Sequence, residues 1–231
     1  PKSPYRDNFK DGILHYAYQG EDPKHPDNVG LSKARAQGIP LIYFYGLMPG
    51  KYLAAWPVFI IEENPQTLFF SVVVDDKKFV KNKPYVHNEE DLSRRKYVTT
   101  AVRSRIHQKA FRIRVLEAYQ SQCAFCSLKH EELLDAAHII PDRSPGGEPL
   151  VNNGLSLCKI HHAAYDRNFI GVSPDYQIIV REDILEEADG PMLRHGIQEI
   201  HERRLILPRR SNQRPDPDRL QARFEEFKKA L

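Results

Sequence analysis

The chain has 231 residues, of which 41% are hydrophobic and 28% charged, and its formal net charge is +3. This length and composition suffice for one large core or two small ones, which excludes a disordered protein, and the apolar runs are too short to cross a bilayer. Three cysteines cannot all pair, which argues against a secreted disulfide scaffold. We therefore expect a cytoplasmic protein with no membrane partner, whose thiols are free to bind metal.

The first part of the chain, residues 1–92, is predicted to be a β-rich domain. Turn sequences separate four strand-like segments, namely GILHYAY, PLIYFYG, WPVFIIEE and TLFFSVVVDD. A short helix is expected in NVGLSKARAQ, between the first two strands. The only tryptophan, Trp56, is expected in the core because it lies within the apolar sequence AAWPVF.

A shift from acidic to basic residues in HNEEDLSRRK predicts a boundary, so that a second domain covers residues 93–231. Residues 94–120 are predicted to be helical, and no acid occurs between residues 94 and 114. Such a run is usually a solvated face, but its position just before a candidate metal site favours phosphate contacts, with Arg103, Arg105 and Lys109 as candidates. A C-terminal amphipathic helix is expected in DPDRLQARFEEFKKAL.

Two short motifs contain every cysteine of the chain. CAFC contributes Cys123 and Cys126, and CKIH contributes Cys158 and His161. Two x-x-spaced pairs can converge into a tetrahedral zinc site, and four protein ligands make such a site structural rather than catalytic. The alternative is three buried apolar cysteines and a surface histidine. The paired spacing favours a structural Zn²⁺ that clamps the start of this module to its final helix.

Between and after these motifs, the chain resembles HNH endonucleases of the ββα-metal type. The resemblance covers residues 112–170 and runs through His138 in AHIIPD, Asn153 in NGL and His162 in HHAAYD. It implies a zinc-stabilised ββα-metal HNH nuclease module with flanking helices.

The resemblance also implies a role for each residue of the motif. His138 would be the general base that takes a proton from the attacking water, and Asn153 would hold the loop between the two strands. His162 would bind a catalytic Mg²⁺ or Mn²⁺ at the scissile phosphate. The products would carry a 5′ phosphate and a 3′ hydroxyl.

One position departs from the family pattern. Many relatives have an aspartate directly before the first histidine as a metal ligand, and here that residue is Ala137. Asp166 is the candidate second ligand because it follows His162 by four residues, on the same helical face. The alternative for Asp166 is a salt bridge or a helix C-terminal contact, and Asp135 and Asp142 are weaker candidates.

The N-terminal sequence YRDNFKDGILHYAYQG has a looser likeness to SRA domains, which hold a flipped modified cytosine. The likeness implies a PUA/SRA-like β-barrel, so that the chain as a whole would be an α+β protein in which this barrel precedes the HNH module. It also implies that Tyr5 and Tyr18 sandwich the base and that Asp7 or Asn8 bonds its Watson–Crick edge. The register between Asp7 and Asn8 is open by one residue. The alternative is that both tyrosines are ordinary core residues of strands.

Three functions follow from these patterns. The first is a modification-dependent restriction endonuclease that cuts double-stranded DNA carrying a modified cytosine. The second is an HNH nuclease without modification dependence, and the third is a non-catalytic zinc-stabilised DNA-binding protein. Because one ββα module cuts one strand, the first two favour a homodimer.

Overall fold

The structure is a computed structural model that describes residues 7–75 and 89–230. It consists of two units, Pro1–His107 and Gln108–Leu231. The boundary predicted between residues 92 and 93 falls within a long helix, α2 (Glu89–Ala118), which runs through both units. The assignment of separate functions to residues 1–92 and 93–231 stays a prediction.

Five antiparallel strands form the sheet of the first unit: β1 (Asn8–Lys10), β2 (Ile13–Ala17), β3 (Leu41–Met48), β4 (Lys51–Asn64) and β5 (Phe69–Val74). Their order is β1-β2-β5-β4-β3. Closure into a barrel would require the edge strands β1 and β3 to pair. Within the described ranges they do not pair, so the sheet is open and the predicted barrel is not observed.

Two helices pack on this sheet. Helix α1 (Pro26–Ala36) has proline in its first turn and basic residues in its last, both of which favour a helix at those positions. Helix α2 places Val98, Val102 and Ile106 against the sheet core, at the spacing of one helical face. The helices expected in NVGLSKARAQ and in residues 94–120 are therefore confirmed.

The prediction that Trp56 is a core residue is wrong. Its side chain is 42% exposed, and it lies with Phe44 and Tyr52 on the exposed face of the β3–β4 hairpin. The preceding residue, Ala55, faces the core, because side chains alternate between the two faces of a strand. The apolar sequence could not indicate which face of this hairpin is covered.

The second unit begins with the last turns of α2 and continues into a strand–strand–helix module. Strand β6 (Leu134–His138) pairs antiparallel with β7 (Gly154–Cys158), and helix α3 (Lys159–Asp166) follows directly. The register places His138 opposite Gly154 and Leu134 opposite Cys158. The end of β6 and the end of β7 are therefore at opposite ends of the hairpin.

The remaining elements of this unit surround the module. They are β8 (Ile170–Val172), β9 (Ile178–Val180), α4 (Glu182–Glu186), α5 (Pro191–Gly196) and α6 (Pro217–Lys228). Apolar residues of α2, of the strand–strand–helix module and of these surrounding elements form one core, which includes Val115, Leu155 and Leu220. In the described part of the chain, no helix is long and apolar enough to cross a membrane.

Candidate active site and metal centre

The four residues of the cysteine motifs converge in the second unit. The Sγ atoms of Cys123, Cys126 and Cys158 and a ring nitrogen of His161 all lie within 4.8 Å of one another. Nδ1 of His161 is 3.4 Å from Sγ of Cys123 and 3.2 Å from Sγ of Cys158. Three thiols and one imidazole at these distances form a site that can hold a metal ion such as zinc.

Backbone geometry explains why these residues meet. The amide of Cys123 donates to the carbonyl of Leu128, and the amide of Ser127 donates to the carbonyl of Cys123, which closes a tight turn around the first pair. The second pair comes from the last residue of β7 and the first turn of α3. The amide of Ala124 donates to the carbonyl of Ser156 in β7 and so joins the two halves.

The chemistry of the cluster suits a metal. Hydrogen bonds with the thiols of Cys123 and Cys126 lower the pKa of the Cys158 thiol, which favours the thiolate that metals bind. On the far side of its ring, Nε2 of His161 lies 2.6 Å from the carbonyl oxygen of Gly196, so it donates there and leaves Nδ1 for the metal. Gly196 ends α5, and no sequence motif pointed to it.

His138 is the last residue of β6 and is held by an aromatic contact. Its ring stacks on Phe111 of α2, with centroids 4.1 Å apart. This approach depends on Gly154 across the hairpin, since a Cβ there would lie 2.8 Å from Cζ of Phe111. Among the described residues, Nε2 of His138 is buried and has no hydrogen-bond partner. The residue also lines the cleft described below.

Burial lowers the pKa of His138 below its ordinary value. The carboxylate of Asp142 acts in the opposite direction, and the nearby His162 lowers the pKa further. The net effect keeps the imidazole neutral at neutral pH, as a general base requires.

Asn153 is fully buried and ties together the loop that follows His138. Its Oδ1 accepts from the amide of Ile140, and its Nδ2 donates to the carbonyls of Ile140 and Glu148. The amide of Ile139 donates to the carbonyl of Asn153 itself. The side chain therefore occupies the position expected of the residue that holds the loop between the two strands.

His162 lies one residue beyond the candidate metal ligand His161 but faces away from the cysteines. Its Nε2 is 3.3 Å from a carboxylate oxygen of Asp166. Both residues line a cleft of about 440 Å³, together with His138, Ile139, Pro141, Asp142, Asn168, Arg223 and Glu226. The candidate base and the candidate cation ligands thus share one cleft, and three of its polar lining residues, Asn168, Arg223 and Glu226, were not predicted.

The other acidic candidates differ in their surroundings. Asp142 lines the cleft, whereas Asp135 forms an ion pair with Lys159 and lies 3.6 Å from Nε of Arg112. Burial raises the pKa of Asp135, but Lys159 and His162 outweigh that effect, so its net shift is downward. Ala137 is fully buried and contributes only to the core.

The predicted phosphate contacts are all exposed side chains on α2. Arg103 lies over the ring of Phe9, with its guanidinium carbon 4.2 Å from the ring centroid, and Arg105 and Lys109 are exposed. Two other basic residues of the run, Arg94 and Arg95, bind the buried carboxylate of Asp75. The basic run therefore includes both exposed residues and residues that hold the fold.

The residues predicted to bind a flipped base are in different environments. Tyr5 lies outside the described residues, and Asn8 is exposed at the start of β1. Tyr18 is a core residue: it is 4% exposed, stacks on Phe70 at 4.5 Å and donates from its hydroxyl to Glu63. A base could stack on Tyr18 only if this core opened.

Asp7 is half-buried and lies beside tyrosines that were not predicted. Its carboxylate accepts from the amide of Ala17 at 3.0 Å and from the hydroxyl of Tyr43 at 3.2 Å. Tyr16 contacts Tyr43 edge to face. Burial raises the pKa of Asp7 above its ordinary value, although the two hydrogen bonds act in the opposite direction.

The second unit thus combines a ββα module, a histidine at a strand end, a histidine on the following helix and a separate Cys/His cluster. Residues 123–173 match the family model described as HNH endonuclease. This match supports a nuclease and weighs against the third function predicted from the sequence, a non-catalytic DNA-binding protein.

Comparison with solved structures finds a protein described as a modification-dependent TagI restriction endonuclease. The match has 14% sequence identity and a TM-score of 0.35, and it covers 96% of this chain and 77% of that one. A TM-score this low does not establish a shared fold. No curated protein sequence matches the chain.

Proposed function

We propose that this protein is a divalent-metal-dependent DNA endonuclease in which His138 is the general base. One observation carries the proposal: His138, His162 and Asp166 line a single cleft, while Cys123 and the other cysteine-motif ligands lie outside it. Catalysis is therefore assigned to the side chains of the cleft, and the structural metal site to the side chains of the cysteine motifs.

In the proposed reaction, water attacks the phosphorus of a phosphodiester and the bond to the 3′ oxygen breaks. The imidazole of His138, which lines the cleft and whose pKa is lowered by burial, accepts the proton of the attacking water. Asn153 holds the loop that fixes this ring. His162 and Asp166 would hold a Mg²⁺ or Mn²⁺, which when bound supplies charge neutralisation at the phosphate and at the leaving oxygen.

The cysteine-motif site is proposed to hold a structural Zn²⁺. Four protein ligands leave no open position for substrate, and Cys123, Cys158 and His161 are buried. The metal would join the turn after α2 to the start of α3. Folding of the second unit would then depend on zinc.

The substrate is proposed to be double-stranded DNA that contacts the exposed basic residues of α2. The finer proposal is that the first unit reads a modified cytosine. Its support is the likeness to SRA domains and the half-buried Asp7, because a carboxylate is the usual acceptor for the cytosine amino group. Double-strand cleavage would require two active sites, which favours a homodimer.

The proposed base is tested by cleavage of plasmid DNA with Mg²⁺ or Mn²⁺. His138→Ala should lower the rate roughly 10²- to 10⁴-fold. His130→Ala is the matched control, since His130 is an exposed histidine of the same unit that does not line the cleft. Equal rates for His138→Ala and wild type would remove His138 as the base.

The proposed recognition of a modified cytosine is tested on matched plasmids that carry cytosine, 5-methylcytosine or 5-hydroxymethylcytosine. A modification-dependent enzyme cuts one modified plasmid preferentially, and Asp7→Ala should reduce that preference while Glu21→Ala, an exposed acidic control, leaves it. Equal cutting of all three plasmids would instead support the nuclease without modification dependence.

Sedimentation of the protein with and without DNA tests the homodimer.

A further inference from the structure

Helix α6 lies outside the residues that match the HNH family model but is built into the same core. Leu220 and Phe227 are fully buried on its inner face. A Cβ on Gly171 would lie 2.6 Å from the ring of Phe227, so the helix packs directly on the backbone of β8. The side chain of Asp216 caps the helix by accepting from the amides of Asp218 and Arg219. The position of α6 is therefore well defined within the second unit.

The inner face of α6 also presents a buried arginine to the cleft. Nη1 of Arg223 donates to Oδ1 of Asn168 at 2.5 Å, and Nη2 donates to the carbonyl oxygen of Tyr165 at 2.7 Å. The guanidinium carbon lies 4.9 Å from the centroid of the Tyr165 ring. Glu226, also on the cleft, is 3.6 Å from Nη1. An arginine only 9% exposed and held by so many partners has one orientation.

The contacts with Tyr165 and Asn168 lie at the C-terminal end of α3, whereas Glu226 belongs to α6 itself. Tyr165 is in the last turn of α3, where its carbonyl oxygen accepts from the amide of Asn168 as well as from Arg223, and where the helix dipole favours a positive charge. Arg223 supplies both a donor and the charge. The same short helix carries His162 in its middle and Asp166 as its last residue, and its other end carries His161, shortly after Cys158.

We propose that Arg223 is a positioning residue for the cation site of the cleft. By holding the last turn of α3, it keeps the carboxylate of Asp166 beside Nε2 of His162, at the observed 3.3 Å. It acts through the helix and not on the substrate, since its terminal nitrogens are engaged by Asn168, Tyr165 and Glu226. This inference rests on the proposed cation ligands, and it makes the nuclease site depend on a helix outside the family match.

The experiment measures Mn²⁺ binding by electron paramagnetic resonance in the absence of DNA, together with zinc content and thermal melting. Arg223→Gln should weaken Mn²⁺ binding roughly 10- to 100-fold, the usual effect of losing a residue that orients a metal ligand. Zinc content should be unchanged, and cleavage should recover at high Mn²⁺ concentration with the same KM for DNA. Arg223→Lys, which keeps the charge but not the paired donors, should be intermediate.

Lys228→Met on the same helix is the control, because Lys228 is exposed and pairs only with Glu225 among the described carboxylates. Wild-type Mn²⁺ affinity in Arg223→Gln would overturn the proposal, as would an equal loss of zinc. If Arg223→Gln does not fold, the lysine variant decides: weakened Mn²⁺ binding supports the proposal and unchanged binding overturns it. Failure of wild-type protein to bind Mn²⁺ or to cut DNA would instead refute the proposed function.

Discussion

Replacement of Gly154 by alanine tests whether His138, the proposed general base, is held by the packing of α2 against the hairpin. The new Cβ would lie 2.5 Å from Cγ2 of Val115 and 2.8 Å from Cζ of Phe111, closer than packed carbon atoms approach. Both partners are buried, so neither can turn into solvent. Overpacking of this kind costs about 1 to 3 kcal/mol.

Relief of this clash requires the Phe111 ring to move, and His138 stacks on that ring. We therefore expect two effects of Gly154→Ala. The melting temperature should fall by roughly 2 to 4 °C for each kcal/mol of stability that the clash removes. The cleavage rate of the folded protein should also fall, since displacement of a catalytic group by about 1 Å can cost on the order of 10²-fold.

The assay combines calorimetric melting of the zinc-loaded protein with cleavage rates measured well below the transition. Gly190→Ala is the control, because a Cβ at Gly190 meets nothing within 4 Å and the backbone angle of φ −68° suits alanine. If Gly154→Ala melted and cut like this control, His138 would not be held by the Phe111 contact. Lower stability with an unchanged cleavage rate would refute the link between packing and catalysis.

Three further outcomes follow from the site. His161→Ala should lower zinc content and melting temperature, whereas His162→Ala should abolish most cleavage with zinc retained, as checked by metal analysis; equal zinc loss in both would contradict the division. Burial lowers the pKa of His138, so this base should stay neutral as the pH falls to 6.5, the ordinary histidine pKa. The value of kcat/KM should therefore decline only below pH 6.5. A midpoint of the pH–kcat/KM profile at or above 6.5 would count against His138 as the base. Charge reversal at Arg103 and Arg105 should lower DNA affinity. It should also flatten the plot of log affinity against log salt concentration by about one unit of slope for each phosphate that is no longer neutralised. An unchanged slope would place both residues on a solvated face.

Much of the candidate site could be predicted because its signals are local in sequence. The spacing of Cys123 from Cys126 and of Cys158 from His161 constrains each pair to one turn, and the structure brings all four together. Neighbouring positions on a helix point about 100° apart, which separates His161 from His162. The four-residue spacing places Asp166 beside His162 for the same reason.

The contacts that were not predicted join residues far apart in sequence. Gly196 supports His161 from α5, and Arg223 reaches the end of α3 from α6. Neither belongs to a motif, since a backbone carbonyl can come from any residue and an arginine in an amphipathic helix usually faces solvent. Trp56 was misassigned for a related reason, because strand alternation does not say which face is covered.

The sequence by itself determined which residues can bind metal and which histidine belongs to which site, because backbone geometry over a few residues decides those questions. Only the tertiary structure decided the stacking of His138 on Phe111, the burial of Tyr18 and the place of Arg223 at the cleft. These features depend on how separate elements pack. That packing is decided by many weak contacts across the whole unit, and no short stretch of the chain contains them.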